Sequence, residues 1–111
     1  MNNRAFADLE LATAFIKECT GLQFGRADVT MWVPGTIEFR LSQRENSMWI
    51  MKCLNDKLGE HTRMDESFLA GIKRFYWDFS ETRSLVLLRY MRDRGRAEPR
   101  AFLQLVDRTE V

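Results

Sequence analysis

The sequence predicts an α+β fold: two β-hairpins in one antiparallel sheet, with about three helices, in the order α-β-β-α-α-β-β. Three observations predict it. Residues 29–41 hold two apolar runs of period two around a Pro-Gly pair. Three other segments, within residues 3–20, 42–58 and 62–79, repeat their apolar residues at helical spacing. Residues 84–92 and 101–107 are two further strand-like runs separated by a loop holding Gly95 and Pro99.

The first helix is expected over Asn3 to Thr20. Leu9, Ala12, Ile16 and Cys19 recur on one face, with Leu11 and Phe15 beside them. Asp8 and Glu10 lie toward its start and Lys17 toward its end, as the helix dipole favours. Gly21 follows as a C-terminal cap. The period then changes. Val29, Met31 and Val33 alternate with Thr30 and Trp32, and Ile37, Phe39 and Leu41 alternate with Glu38 and Arg40. With Pro34-Gly35 between them, these runs read as a hairpin with one buried face.

Ser42 and Glu45 have capping-box spacing and start a second helix that runs to about Leu58. Ile50, Met51, Leu54 and Leu58 line one side of it, and Gly59 closes it. A third helix is expected from Thr62 or Asp65 onward. Phe68, Leu69, Ile72, Phe75, Tyr76 and Phe79 follow helical spacing there, and its aromatic content requires firm docking. The run from Ser84 to Arg92 fits a strand or a helix. Its branched and aromatic residues favour the strand, with Ala101–Asp107 as partner.

The chain has 111 residues, 45% apolar and 30% charged, which suits one globular domain and argues against disorder. Apolar runs such as Leu85-Val86-Leu87-Leu88 fall far short of a membrane span. The start, Met1-Asn2-Asn3-Arg4, soon meets Asp8 and Glu10 and does not read as a signal peptide. Two isolated cysteines, Cys19 and Cys53, then suggest free thiols and a cytoplasmic location, with a Cys19–Cys53 disulfide as the lesser reading.

Common chemistries find little support. Cys19, Cys53 and His61 are one ligand short of a zinc site, and His61 falls in a connecting loop expected to be exposed. There is no Gly-x-Ser-x-Gly elbow, P-loop or Gly-x-Gly-x-x-Gly. The acids are mostly explained by polar helix faces and helix starts. No cofactor is implied, and the chain is not expected to be an enzyme.

The distinctive feature is charge. Arg83, Arg89, Arg92, Arg94, Arg96, Arg100 and Arg108 stand against Asp93, Glu98 and Asp107, a local +4 in a chain of net +1. Arginine favours oriented, bidentate contacts. The expected partner-binding residues are Arg89, Arg92, Arg94, Arg96 and Arg100, joined by Trp32, which falls on the polar face of the first hairpin. No helix-turn-helix, zinc finger or RNA-binding aromatic motif accompanies them. The expected function is therefore a non-enzymatic interaction protein, a regulator or inhibitor of the small bacterial or phage kind. Its expected partner is a protein with an acidic surface. The alternative is a nucleic-acid-binding protein using the arginine-rich C-terminal hairpin. A homo-oligomer paired through a sheet edge or the Trp-bearing surface also fits.

Overall fold

The computed structural model describes residues 3–32, 35–41, 47–67, 71–90 and 100–108, with side chains from Ala7 onward. The first helix, α1 (Asn3–Thr20), ends as expected. Gly21 takes a positive φ of 77° and its N–H donates to the Lys17 carbonyl at 2.7 Å. A short 3₁₀ turn at Arg26–Asp28 leads into the expected hairpin of β1 (Val29–Trp32) and β2 (Thr36–Arg40). Met31 pairs with Ile37 and Val29 with Phe39; the alternation buries one face of β2, whereas β1 lies at the sheet edge with Val29 half-buried and Met31 exposed. Val33 and Pro34 lie outside the described residues.

The second helix, α2, spans Ser47–Leu58 and closes at Gly59, which has a φ of 84°. The capping box expected at Ser42 and Glu45 lies outside the described residues. The expected third helix is not a helix. Its residues form the hairpin of β3 (Arg63–Ser67) and β4 (Ile72–Asp78), with Gly71 at a φ of 65° in the turn. Among the described residues the order of elements is therefore α-β-β-α-β-β-β-β, with two α-helices rather than about three. The physical reason is that β4 is an interior strand. Lys73, Phe75 and Trp77 point to one side, while Ile72, Arg74 and Tyr76 point to the other. With apolar residues on both sides, the period of two disappears from its sequence.

The last hairpin forms as expected, from β5 (Arg83–Tyr90) and β6 (Ala101–Asp107). All six strands join one antiparallel sheet in the order β1-β2-β6-β5-β4-β3. The pairing of β6 with β2, Phe39 opposite Leu103, stitches the first hairpin to the rest.

Both helices pack on one face of this sheet. Ala12 and Ile16 of α1 and Ile50 and Leu54 of α2 share a core with Ile37, Phe39, Phe75, Trp77, Leu85, Leu87, Leu103 and Leu105. Those strand residues all leave the same side of the sheet. Among the described residues, no helix is long and apolar enough to cross a membrane.

Candidate functional site

The sheet face away from the helices differs in character from the core face. Its middle is one ladder of directly opposed residues, Arg40, Phe102, Leu88, Arg74 and Asp65, running from β2 to β3. The next ladder is Glu38, Gln104, Val86, Tyr76 and Arg63. Val86 and Leu88 are buried on this face too. Ile72, Tyr90 and Phe102 are half-buried around them. The result is an apolar and aromatic strip on the outer face, edged by charged residues.

The arginines expected to bind a partner are divided by this geometry. Arg100 lies on the outer side, its guanidinium 5.0 Å from the centre of the Tyr90 ring. Tyr90 meets Phe102 edge to face at 5.8 Å. Arg89 leaves the opposite side of β5. Its Nε donates to the Ser47 hydroxyl at 2.7 Å and its NH1 contacts the Met48 sulfur at 3.1 Å, so it ties β5 to the start of α2. Arg92, Arg94 and Arg96 lie outside the described residues. Trp32 is on the outer face but at the far edge, 55% exposed, with its indole N–H directed at Glu38 at 3.4 Å. The structure therefore separates Trp32 and Arg89 from Arg100 rather than gathering one site.

Sequence reasoning missed Arg74. It stands half-buried in the middle of the outer face, opposite Leu88 and Asp65. A helix over these residues sets Arg74 on the face opposite Phe68, Ile72 and Phe75, whereas the strand turns it to the outer face. Two other arginines of the basic segment hold the fold. Arg83 is buried and bonds Asp8 and the Gly35 carbonyl. Arg108 donates to the carbonyls of Ser80 and Glu81 and pairs with Asp78 at 3.4 Å. Near it lies a cleft of about 170 Å³ lined by Thr62, Arg63, Tyr76, Asp78, Ser84 and Arg108. Asp65 and Asp78 balance its two arginines.

Electrostatics at the β3 edge are local. The Asp65 carboxylate accepts from Arg63 at 2.6 Å and from the Tyr76 hydroxyl at 3.0 Å, while Arg63 lies over the Tyr76 ring. The Arg63 hydrogen bond foremost, then that of Tyr76, holds Asp65 below the usual carboxylate range. Burial, then the bond to Asp65, pushes the Tyr76 hydroxyl up. A carboxyl lowered on folding stabilises the fold above its unfolded value of about 4, and that support is lost as pH falls through the lowered value. Asp65→Asn is therefore expected to unfold at a lower temperature than wild type near neutrality. The gap should close below about pH 4, where wild type loses the same support. It should be small, because the pair is open to solvent. Melting curves of both proteins across acid pH measure it.

Cys19 and Cys53 are free thiols on facing helices. The Cys19 thiol donates to the Cys53 carbonyl at 3.1 Å, and burial pushes both thiols up, away from reactivity. His61 is not in an exposed loop between helices. It follows α2 and its ring packs edge-on against Phe75 at 5.1 Å and Trp77 at 6.2 Å, with Nδ1 buried and unbonded. Aromatic neighbours on β4, absent from a helical reading, draw it inward. Among the described residues, no three of His, Cys, Asp and Glu gather as metal ligands.

No family model matches the chain, and no curated protein or solved structure matches it either.

Proposed function

We propose that this is a non-enzymatic interaction protein whose outer sheet face binds a protein partner with an acidic surface. One observation carries the reading. Both helices cover one face of the sheet, while the other carries half-buried Ile72, Tyr90 and Phe102 beside Arg74 and Arg100. Aromatic and arginine side chains are the usual anchors of protein interfaces, and a charged rim steers the partner.

A protein partner is favoured over nucleic acid by the charges on the same face. Glu38, Asp65 and Asp78 stand there with the arginines, and the whole chain carries only +1. Phosphate recognition calls for a basic excess, whereas an apolar strip with mixed charge suits a protein.

The test is a comparison of Arg74→Glu/Arg100→Glu with Lys52→Glu/Lys57→Glu, which reverses charge on α2 instead. Affinity capture from cells that make the protein, followed by titration against the captured partner, is the measurement. The first variant is expected to weaken binding on the order of tenfold or more, and the second to leave it nearly unchanged. Equal binding by all three proteins removes the outer face from the account. Recovery of nucleic acid with a steep salt dependence replaces the protein partner with a nucleic acid.

A further inference from the structure

We propose that Cys19 and Cys53 form a redox-responsive clamp: on oxidation by a small-molecule disulfide such as glutathione disulfide, their thiols join in one internal disulfide that locks α1 to α2. This stands apart from the reading of the outer face, because it uses the helix layer on the other side of the sheet.

The placement of the two thiols carries the inference. They are the chain's two cysteines, 34 residues apart in sequence, and the fold sets them on facing helices. Cys19 belongs to the last turn of α1, and Cys53 to the middle of α2. The Cys19 Sγ lies 3.1 Å from the carbonyl oxygen of Cys53 itself. Standard backbone dimensions then put that sulfur within roughly 5.5 Å of the Cys53 Cα. Disulfide-bonded cysteines have Cα atoms about 4.4–6.8 Å apart, so a thiol already against its partner's backbone is close to bonding range. Helix ends fray, and Cys19, just before the glycine that stops α1, is the side free to adjust. Both side chains are half-buried rather than sealed in the core, so a small oxidant reaches them. Among the described residues no third metal-ligating group gathers with the pair, which leaves each thiol the other as its reaction partner.

The step balances as thiol–disulfide exchange. One cysteine, as its thiolate, attacks a sulfur of glutathione disulfide; a mixed disulfide forms and one glutathione leaves. The second cysteine, as its thiolate, attacks the protein sulfur of that mixed disulfide; the Cys19–Cys53 bond forms and the second glutathione leaves. The protein gives up two electrons and its two thiol protons, and the oxidant takes up both. Burial foremost pushes both thiols up, so thiolate is scarce and the exchange is slow. Once closed, the bond ties together residues far apart in the unfolded chain, which favours the folded state.

The test incubates the full chain overnight in native buffers of rising glutathione disulfide content, alkylates the remaining thiols and weighs the product by mass spectrometry. Wild type is expected to become two hydrogen atoms lighter and to take up no alkylating agent. Its melting temperature is expected to rise on the order of 10 °C and to return to the starting value in excess dithiothreitol. Cys19→Ser and Cys53→Ser are each expected to gain no such stability in the same buffers. Wild type that keeps both thiols free, or ends as glutathione adducts or linked dimers, overturns the proposal. An internal bond that leaves the melting temperature unchanged or lowers it overturns the clamp equally.

Discussion

Trp77→Ala is expected to cost about 3–5 kcal/mol of folding stability. Trp77 is 1% exposed and sits on the helix face of β4. Its indole N–H donates to the Asn55 side chain of α2 at 2.9 Å, and the edge of the His61 ring meets it from the loop. Truncation removes the bulk that joins sheet and helix and leaves a cavity that neighbours on a rigid sheet cannot fill. It also strands the Asn55 amide. A domain of this size has roughly 5–15 kcal/mol in all, so the variant is expected to be marginal. Trp77→Phe separates the contributions. It keeps most of the volume and loses the hydrogen bond, a smaller cost of about 1–2 kcal/mol. Urea denaturation of the three proteins is the measurement. A loss under about 1 kcal/mol for Trp77→Ala would place the residue outside the cooperative core.

Arg83→Ala is the second large effect, expected to destabilise by about 3 kcal/mol. The Arg83 side chain is 8% exposed and that of Asp8 19%. Its Nε donates to Asp8 of α1 at 3.0 Å, and its NH1 to the Gly35 carbonyl in the first hairpin at 2.7 Å. One guanidinium therefore ties the helix, the β1–β2 turn and β5 together. Removing it leaves the Asp8 carboxylate shielded from water without its cation, and most of the cost lies there. Arg83→Lys keeps the charge but not the fork that reaches both acceptors, so it should recover only part of the loss. The double variant Asp8→Ala/Arg83→Ala should cost less than the sum of the two singles, because each single leaves the other group stranded. Strict additivity in denaturant unfolding would show that the two side chains do not act as a pair.

Arg83 also shows where reading the chain by segments stops. Its charge counts toward the basic segment because six other arginines follow within 25 residues, although it is not among the expected partner-binding residues. Its partners are 75 and 48 residues away in sequence, at Asp8 and Gly35. No local window contains them. Arg89 is the same case, bonded to Ser47 across 42 residues. Of the four described arginines in the basic segment, Arg83, Arg89 and Arg108 tether the fold, and Arg100 lies over Tyr90 on the outer face. The concentration of positive charge was visible in sequence, but its division between scaffold and surface was not.

The β3–β4 hairpin marks a different limit. The spacing of Phe68, Leu69, Ile72, Phe75, Tyr76 and Phe79 matches one face of a helix. The same residues serve a strand that is apolar on both sides, and a period of two cannot show itself there. The aromatic content of Phe75-Tyr76-Trp77 and the glycine at position 71 were the signals for a strand and its turn. Losing that hairpin hid Arg74 and the inward position of His61, and with them part of the outer face.

By itself the sequence determined what short-range chemistry controls. It placed α1 to its last residue and the end of α2, because a glycine free to take positive φ stops each helix. It placed both hairpins whose strands flank a clear turn or loop, because alternation reports one buried side in β2 and β6 and branched residues favour a strand at β5. The tertiary structure decided the rest: that β6 enters between β2 and β5, that both helices share one face, and which arginines remain on the other. These depend on contacts between residues far apart in the chain. Their energy comes from surface buried jointly by several elements, and no single segment carries that information.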